Sequence, residues 1–155
     1  PDSSVGSGVV SISWEQRVID APAAMRAAGA AVKAATVLGV QVNVAVVEAA
    51  GVMAAFVRMP GATLHAGDIA MDKAYTATSF GLPTSQWHAV LGQHSPAVRE
   101  GLVLRPRFVA FGGGLPIVEG GMRIGAIGVS GGSEAQAEAI ALAGLQALGL
   151  APAGA

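Results

Sequence analysis

The chain has 155 residues, enough for one domain with a sizeable core. It is 52% hydrophobic and only 12% charged, against ~25% charged in ordinary globular domains, which excludes intrinsic disorder. Nine basic and ten acidic residues leave a net charge of −1 with no run of one sign, against a nucleic-acid-binding surface, and the lack of cysteine excludes disulfides, thiolate catalysis and Cys-ligated metal.

With so little charge and with 22 glycines, much of the surface is apolar or small, which favours burial against copies of the same chain. Gly, Pro and charged residues interrupt every apolar run before it reaches the ~18–20 residues of a membrane span. The opening PDSSVGSGVV has neither a basic start nor an apolar stretch, so no signal peptide is read there. Pro1 reads as the residue left after removal of an initiator Met, which implies a cytoplasmic protein; cleavage of a secretory signal is the other reading. Residues 1–19 read as an N-terminal arm, 20–150 as the domain and 151–155 as a frayed tail.

In chain order, Val10, Ile12 and Trp14 alternate on one face of an extended segment. Asp20 is placed to cap a helix that tolerates Pro22 in its first turn and runs through Leu38 to Gly39. Residues 42–48, VNVAVVE, read as a buried central strand, and 52–58, VMAAFVR, as its hairpin partner. A second helix covers 65–80 and ends at Gly81 and Pro83. Residues 84–104 are mixed and polar, with a short helix at most. A strand is expected at Arg107–Phe111, followed by Gly112–Gly114. Residues 116–118 and 122–129 pair across Glu119-Gly120-Gly121. Ser133 and Gln136 stand at capping-box spacing before a last helix that reaches about Leu148. Strands joined by tight turns, interleaved with helices, predict an α+β domain: an antiparallel sheet with helices packed on it.

Three segments, VNVAVVEAAGVMAAFVRMPGA, IAMDKAYTATSFGLPTS and FVAFGGGLPIVEGGMRIGAIGVSGG, resemble in order and spacing the GlcG/HbpS-type haem-binding family, which includes the C-terminal domain of PduO-type proteins. The resemblance covers roughly residues 20–150. It implies a profilin-like α+β domain, symmetric homo-oligomers such as octamers, and ligands of the haem or corrinoid type. Glu48 stands where the family usually has Asp.

No pair of His65, His88 and His94 has the i, i+4 helical spacing of a zinc site, so no metal site is assigned. His65, at the mouth of the second helix, is either a haem axial ligand or a surface histidine. His88 and His94 read as exposed or at a subunit contact. On the second helix, Asp68, Asp72, Tyr75, Thr76 and Ser79 share a polar face, and Lys73 falls among Ile69, Ala70, Ala77 and Phe80. A buried ammonium needs a partner, and Glu48 is the expected one. Asp68 and Asp72 are either cation ligands or a solvated face.

Gly112–Gly114 lacks the Lys-Ser/Thr of a phosphate loop; Gly113, with Phe111 beside it, gives backbone access to a flat ligand. Ser130-Gly131-Gly132-Ser133 precedes a helix N-terminus, which suits a carboxylate or simply makes a strand-to-helix turn. The candidate cofactor-binding set is therefore His65, Thr76, Phe111, Gly113, Gly131 and Gly132. The leading expectation is a homo-oligomeric haem or tetrapyrrole binder with no nucleic-acid or membrane partner. The alternative is a cofactor-independent lyase or isomerase of a small organic acid, with Lys73 or His65 as acid/base.

Overall fold

The structure, a computed structural model, describes residues 10–152. Helix α1, Ala21–Leu38, starts where expected: Asp20 is extended and its carboxylate accepts the Ala23 N–H at 2.8 Å. It ends at Gly39, whose left-handed φ of 74° lets its N–H reach the Ala35 and Thr36 carbonyls. Its buried side is alanine throughout: Ala24, Ala27, Ala28, Ala31 and Ala35. Helix α5, Glu134–Ala147, opens on the predicted capping box between Ser133 and Gln136.

Four strands, β1 (Asn43–Glu48), β2 (Met53–Arg58), β3 (Gly114–Glu119) and β4 (Met122–Ser130), form one antiparallel sheet in the order β2-β1-β4-β3. Strand β1 is almost entirely buried because it is central and covered on both sides. It pairs with β4 from Asn43↔Ser130 to Glu48↔Gly125. Helices α1 and α5 pack on each other and on one sheet face, with Val44, Val46, Ile117, Ile127, Ile140 and Leu145 at the centre of the core. Helix α2, His65–Phe80, covers the opposite face through Ala70, Ala74 and Ala77. No helix among the described residues is long and apolar enough to cross a membrane.

Two expectations are corrected. Arg107–Phe111 is not a strand. Arg107 has φ +65°, outside the extended region, and the Val109 N–H is taken by the Thr76 hydroxyl at 3.1 Å, so this segment has no free ladder to offer. Residues 84–104 hold more than a short helix: a 3-10 turn at Thr84–Gln86, then α3 (Trp87–Leu91) and α4 (Pro96–Leu102).

Of the expected arm, residues 1–9 lie outside the described residues. In the rest, Val10, Ile12 and Trp14 are exposed and in no strand. The chain joins the domain at Ile19, which is buried and donates to the Ile124 carbonyl at 2.9 Å. Arg17 pairs with Glu119 at 2.8 Å. Of the expected tail, 153–155 lie outside the described residues.

Candidate functional site

Helix α2 crosses its sheet face at very short range. A Cβ on Gly128 of β4 would run into the Ala70 carbonyl oxygen and lie 2.6 Å from the Ala74 nitrogen. This closeness brings Lys73, only 3% exposed, against the end of β4, where its ammonium donates to the Val129 carbonyl at 2.8 Å. Phe111 lies over it, with Nζ 5.0 Å from the ring centroid. Gly113, at φ 128°, passes so close that a Cβ there would lie 2.7 Å from Nζ and 2.5 Å from the Val129 oxygen. Only glycine fits.

Burial lowers the Lys73 pKa from 10.5 to about 8, and the Glu134 carboxylate offsets part of that fall. Glu134 is itself anchored, accepting the Gly112 N–H at 2.7 Å. The expected Glu48 partner is thus corrected. Glu48 accepts from Ala50 at 2.6 Å and closes its own hairpin. Lys73 reaches Val129, which pairs with Val44, four residues or about 13 Å along β1 from Glu48.

Thr76 is not on a solvated face. Its buried hydroxyl donates to the Arg107 carbonyl at 2.9 Å and accepts from Val109. Asp72 pairs with Arg107 at 2.9 Å, whereas Asp68 is exposed in the first turn. Phe80, placed by pattern on the apolar face, is 46% exposed but packs edge-on to Trp87 and Phe108.

His65 opens α2, exposed, in a helix whose N-cap position, Leu64, provides no side-chain cap. Leu64 is 82% exposed, and Phe56 of β2, 40% exposed, reaches the same end of the helix beside Gly67. Asn43 packs there too and donates to the Thr63 carbonyl at 3.2 Å; since Asn43 pairs with Ser130, His65 and the Ser130–Ser133 turn share one end of the sheet. In that turn Gly131, at φ 136°, packs against the backbone of Gln41 and Val42. Gly132 lies against the Gln136 side chain, and the Ser133 N–H is taken by Gln136 Oε1 at 3.0 Å. The candidate residues therefore fall in three places: Lys73, Phe111 and Gly113 together; His65, Gly131 and Gly132 at one end of the sheet; and Thr76 inside the backbone network of the 107–109 segment. His88 and His94 are exposed on the 84–104 excursion.

Sequence reasoning missed Glu134 and Arg107. The first follows an N-cap and reads as an ordinary acidic first-turn residue; the second depends on a backbone conformation that residue type does not announce.

A family model for the haem-degrading protein HbpS-like group matches residues 19–146. The chain belongs to the HbpS-like family. Its fold is the α+β architecture of that family, as the resemblance implied. The chain is 30% identical to the crystal structure of Klebsiella pneumoniae protein ORFY, with a TM-score of 0.84 over 91% of this chain and 97% of that one. The PduOC–haem complex matches at 32% identity and TM-score 0.77, covering 84% of this chain and 94% of that one. Corrinoid adenosyltransferase PduO of Salmonella typhimurium is 34% identical over 119 residues, 77% of this chain. The chain spans only 35% of that enzyme's length.

Proposed function

We propose that this HbpS-like protein binds haem or a related tetrapyrrole as a homo-oligomer. The observation that carries the reading is its likeness, at 32% identity over 94% of that chain, to a domain solved in complex with haem. The donor set fits such a group. His65 is an exposed imidazole next to exposed Leu64, and Phe56, packed beside Gly67, adds half-exposed apolar surface at the same end of α2. Bound haem would supply an iron that an imidazole nitrogen can ligate.

In this reading His65 would hold the iron, and Leu64 and Phe56 would offer apolar surface to the macrocycle. Gly131 and Gly132, in the turn before α5 at the same end of the sheet, are the proposed backbone contacts of an acidic substituent. Phe111 and Gly113 shape the neighbouring surface over Lys73, and Thr76 fixes the loop that carries them. Low charge and the exposed Val37, Met53 and Val57 favour assembly of copies, with octamers the state the family resemblance suggests.

Titration of haem into the purified protein tests this. A saturable Soret band is expected, shifted or lost in His65→Ala, together with a mass above the monomer by light scattering. Absence of a complex at micromolar haem overturns the binding reading, and a monomeric mass overturns the assembly.

A second reading rests on Lys73: an amine with a pKa near neutrality beside Glu134 is suited to proton transfer in a lyase or isomerase of a small organic acid. His65 is the other acid/base of this reading. It requires that Lys73→Met, still folded, loses turnover while keeping haem affinity.

A further inference from the structure

A separate cavity of about 180 Å³ lies between α2 and the segment that follows α4. Its walls are Tyr75, Phe80, Leu102 and Phe108, and Arg105 and Arg107 supply the only charged side chains lining it. It shares only Thr76 with the haem candidates. The volume is below the ~300–1,000 Å³ of drug-sized ligand sites, so a macrocycle does not fit inside.

The arginines are arranged differently. Arg107 stacks on Tyr75, with its guanidinium carbon 3.7 Å from the ring centroid, and commits Nε to Asp72 at 2.9 Å. No other hydrogen bond or ion pair fixes its terminal nitrogens among the described residues. The Arg105 guanidinium has no carboxylate partner among the described residues. Two cations and one paired carboxylate leave a single positive charge at an otherwise apolar cavity, which one anion neutralises.

The backbone at Arg107 is strained and held in place by its surroundings. Arg107 is the only non-glycine residue with positive φ among the described residues, and at the nine other such positions the chain uses glycine. A bulky residue held left-handed costs energy and persists only where its surroundings over-determine it. Here the Thr76 hydroxyl grips its carbonyl, Asp72 its Nε and Tyr75 its guanidinium plane. Glycine serves the turn alone better; arginine adds the guanidinium.

We propose that this cavity binds a small monocarboxylate with an apolar, ring-sized body, its carboxylate on Arg105 and Arg107 and its body among Tyr75, Phe80 and Phe108. Arginine is suited to this role because its planar fork matches a carboxylate.

Benzoate is the probe and benzyl alcohol its neutral counterpart. Trp87, which meets the Phe108 ring edge-on at 4.9 Å, reports occupancy by fluorescence in a Trp14→Phe background, the chain having two tryptophans. Calorimetry gives the affinity. Expected are saturable benzoate binding in the millimolar range or tighter, no comparable binding of benzyl alcohol, and weakening by about tenfold or more in Arg107→Gly and in Arg105→Gln. Arg107→Gly keeps the left-handed turn, so it stays folded while the guanidinium is lost. Equal binding of both probes, or unchanged affinity in both arginine variants, overturns the proposal. So does the absence of benzoate binding in the native protein, or a side chain of a second copy filling the cavity in a crystal of the unliganded protein. Haem affinity is read separately and does not bear on these outcomes.

Discussion

The two faces of the sheet are built to different thicknesses. Against α1 and α5 the strands present Val44, Val46, Leu115, Ile117, Ile127 and Val129, met by Ile140 and Leu145. Against α2 they present Ala45, Val47 and Ala126, met by Ala70, Ala74 and Ala77, with Gly128 allowing backbone to meet backbone. The thick face buries only apolar residues and glycine on its helices, whereas α2 buries Lys73, Thr76 and Thr78. The difference has a simple cause. Thr76 and Thr78 donate to loop carbonyls, those of Arg107 and Ala49. Where helix and sheet are this close, Lys73 reaches the Val129 carbonyl of β4 and is satisfied. Behind a layer of isoleucines it would be stranded. The thick face supplies cohesion, and the thin face gives polar groups fixed positions beside the candidate site.

The sharpest way to break the contrast is to thicken the thin face. Gly128→Val drives side-chain atoms into the Ala70 carbonyl and the Ala74 nitrogen, backbone that no rotamer change removes. A loss of about 4 kcal/mol or more is expected, measured by urea unfolding. A cost below 1 kcal/mol, on the order of an ordinary surface change, would mean that α2 moves off the sheet freely. Thinning the thick face ranks next. Ile140→Ala, at a fully buried position, is expected to cost about 3 kcal/mol through lost burial and the cavity left behind. Its haem and benzoate affinities should be unchanged, because its contacts lie on the far side of the sheet.

The charge buried on the thin face gives the third prediction. Folded Lys73 loses its proton near pH 8 and the unfolded chain near 10.5, so between these values the unfolded state binds the extra proton. Stability therefore rises with pH through that window. Below about pH 8 the full penalty of roughly 3 kcal/mol is present. Lys73→Met removes this dependence. The native protein should gain on the variant by about that amount between pH 7 and pH 10.5, measured as the difference in urea stability. A flat difference would show that the ammonium is not desolvated.

These contrasts mark what was legible in the sequence. Helix starts and stops were, because Asp20, Gly39, Ser133 and Gln136 act on backbone a few residues away. The two hairpins were, because alternation and turn glycines are local too. Lys73 was recognisable as an anomaly, since a cation among apolar positions at helical spacing needs a partner. Its partner was not legible: that depends on β1–β4 register, which puts Val129 rather than Glu48 within reach. The 107–111 segment misled for a related reason. Its β-branched and aromatic residues suit a strand, but Thr76, 31 residues earlier, captures the backbone groups a ladder needs. Arg107 meets α2 through the same long-range contact, and Arg105 lines the cavity between them, so that cavity left no sequence signature.

The smallest effect expected concerns the outer side of the thick layer. Gly29 lies in the middle of α1, exposed, with nothing within 4 Å of the place a Cβ would occupy. A helical glycine with open space gains from replacement by alanine, because the unfolded chain then has less freedom to lose; Gly29→Ala should stabilise the folded chain by about 0.5–1 kcal/mol. The same glycine lines a groove with Arg26, Ala30, Lys33 and Val37, the last 82% exposed. If copies assemble through this surface, an added methyl crowds the neighbour, and the gain within the chain is offset by weaker association. Thermal unfolding at two protein concentrations separates the two effects. An increase in Tm that is the same at both concentrations leaves α1 outside the interface; a gain seen when dilute but lost when concentrated places a second copy against Gly29.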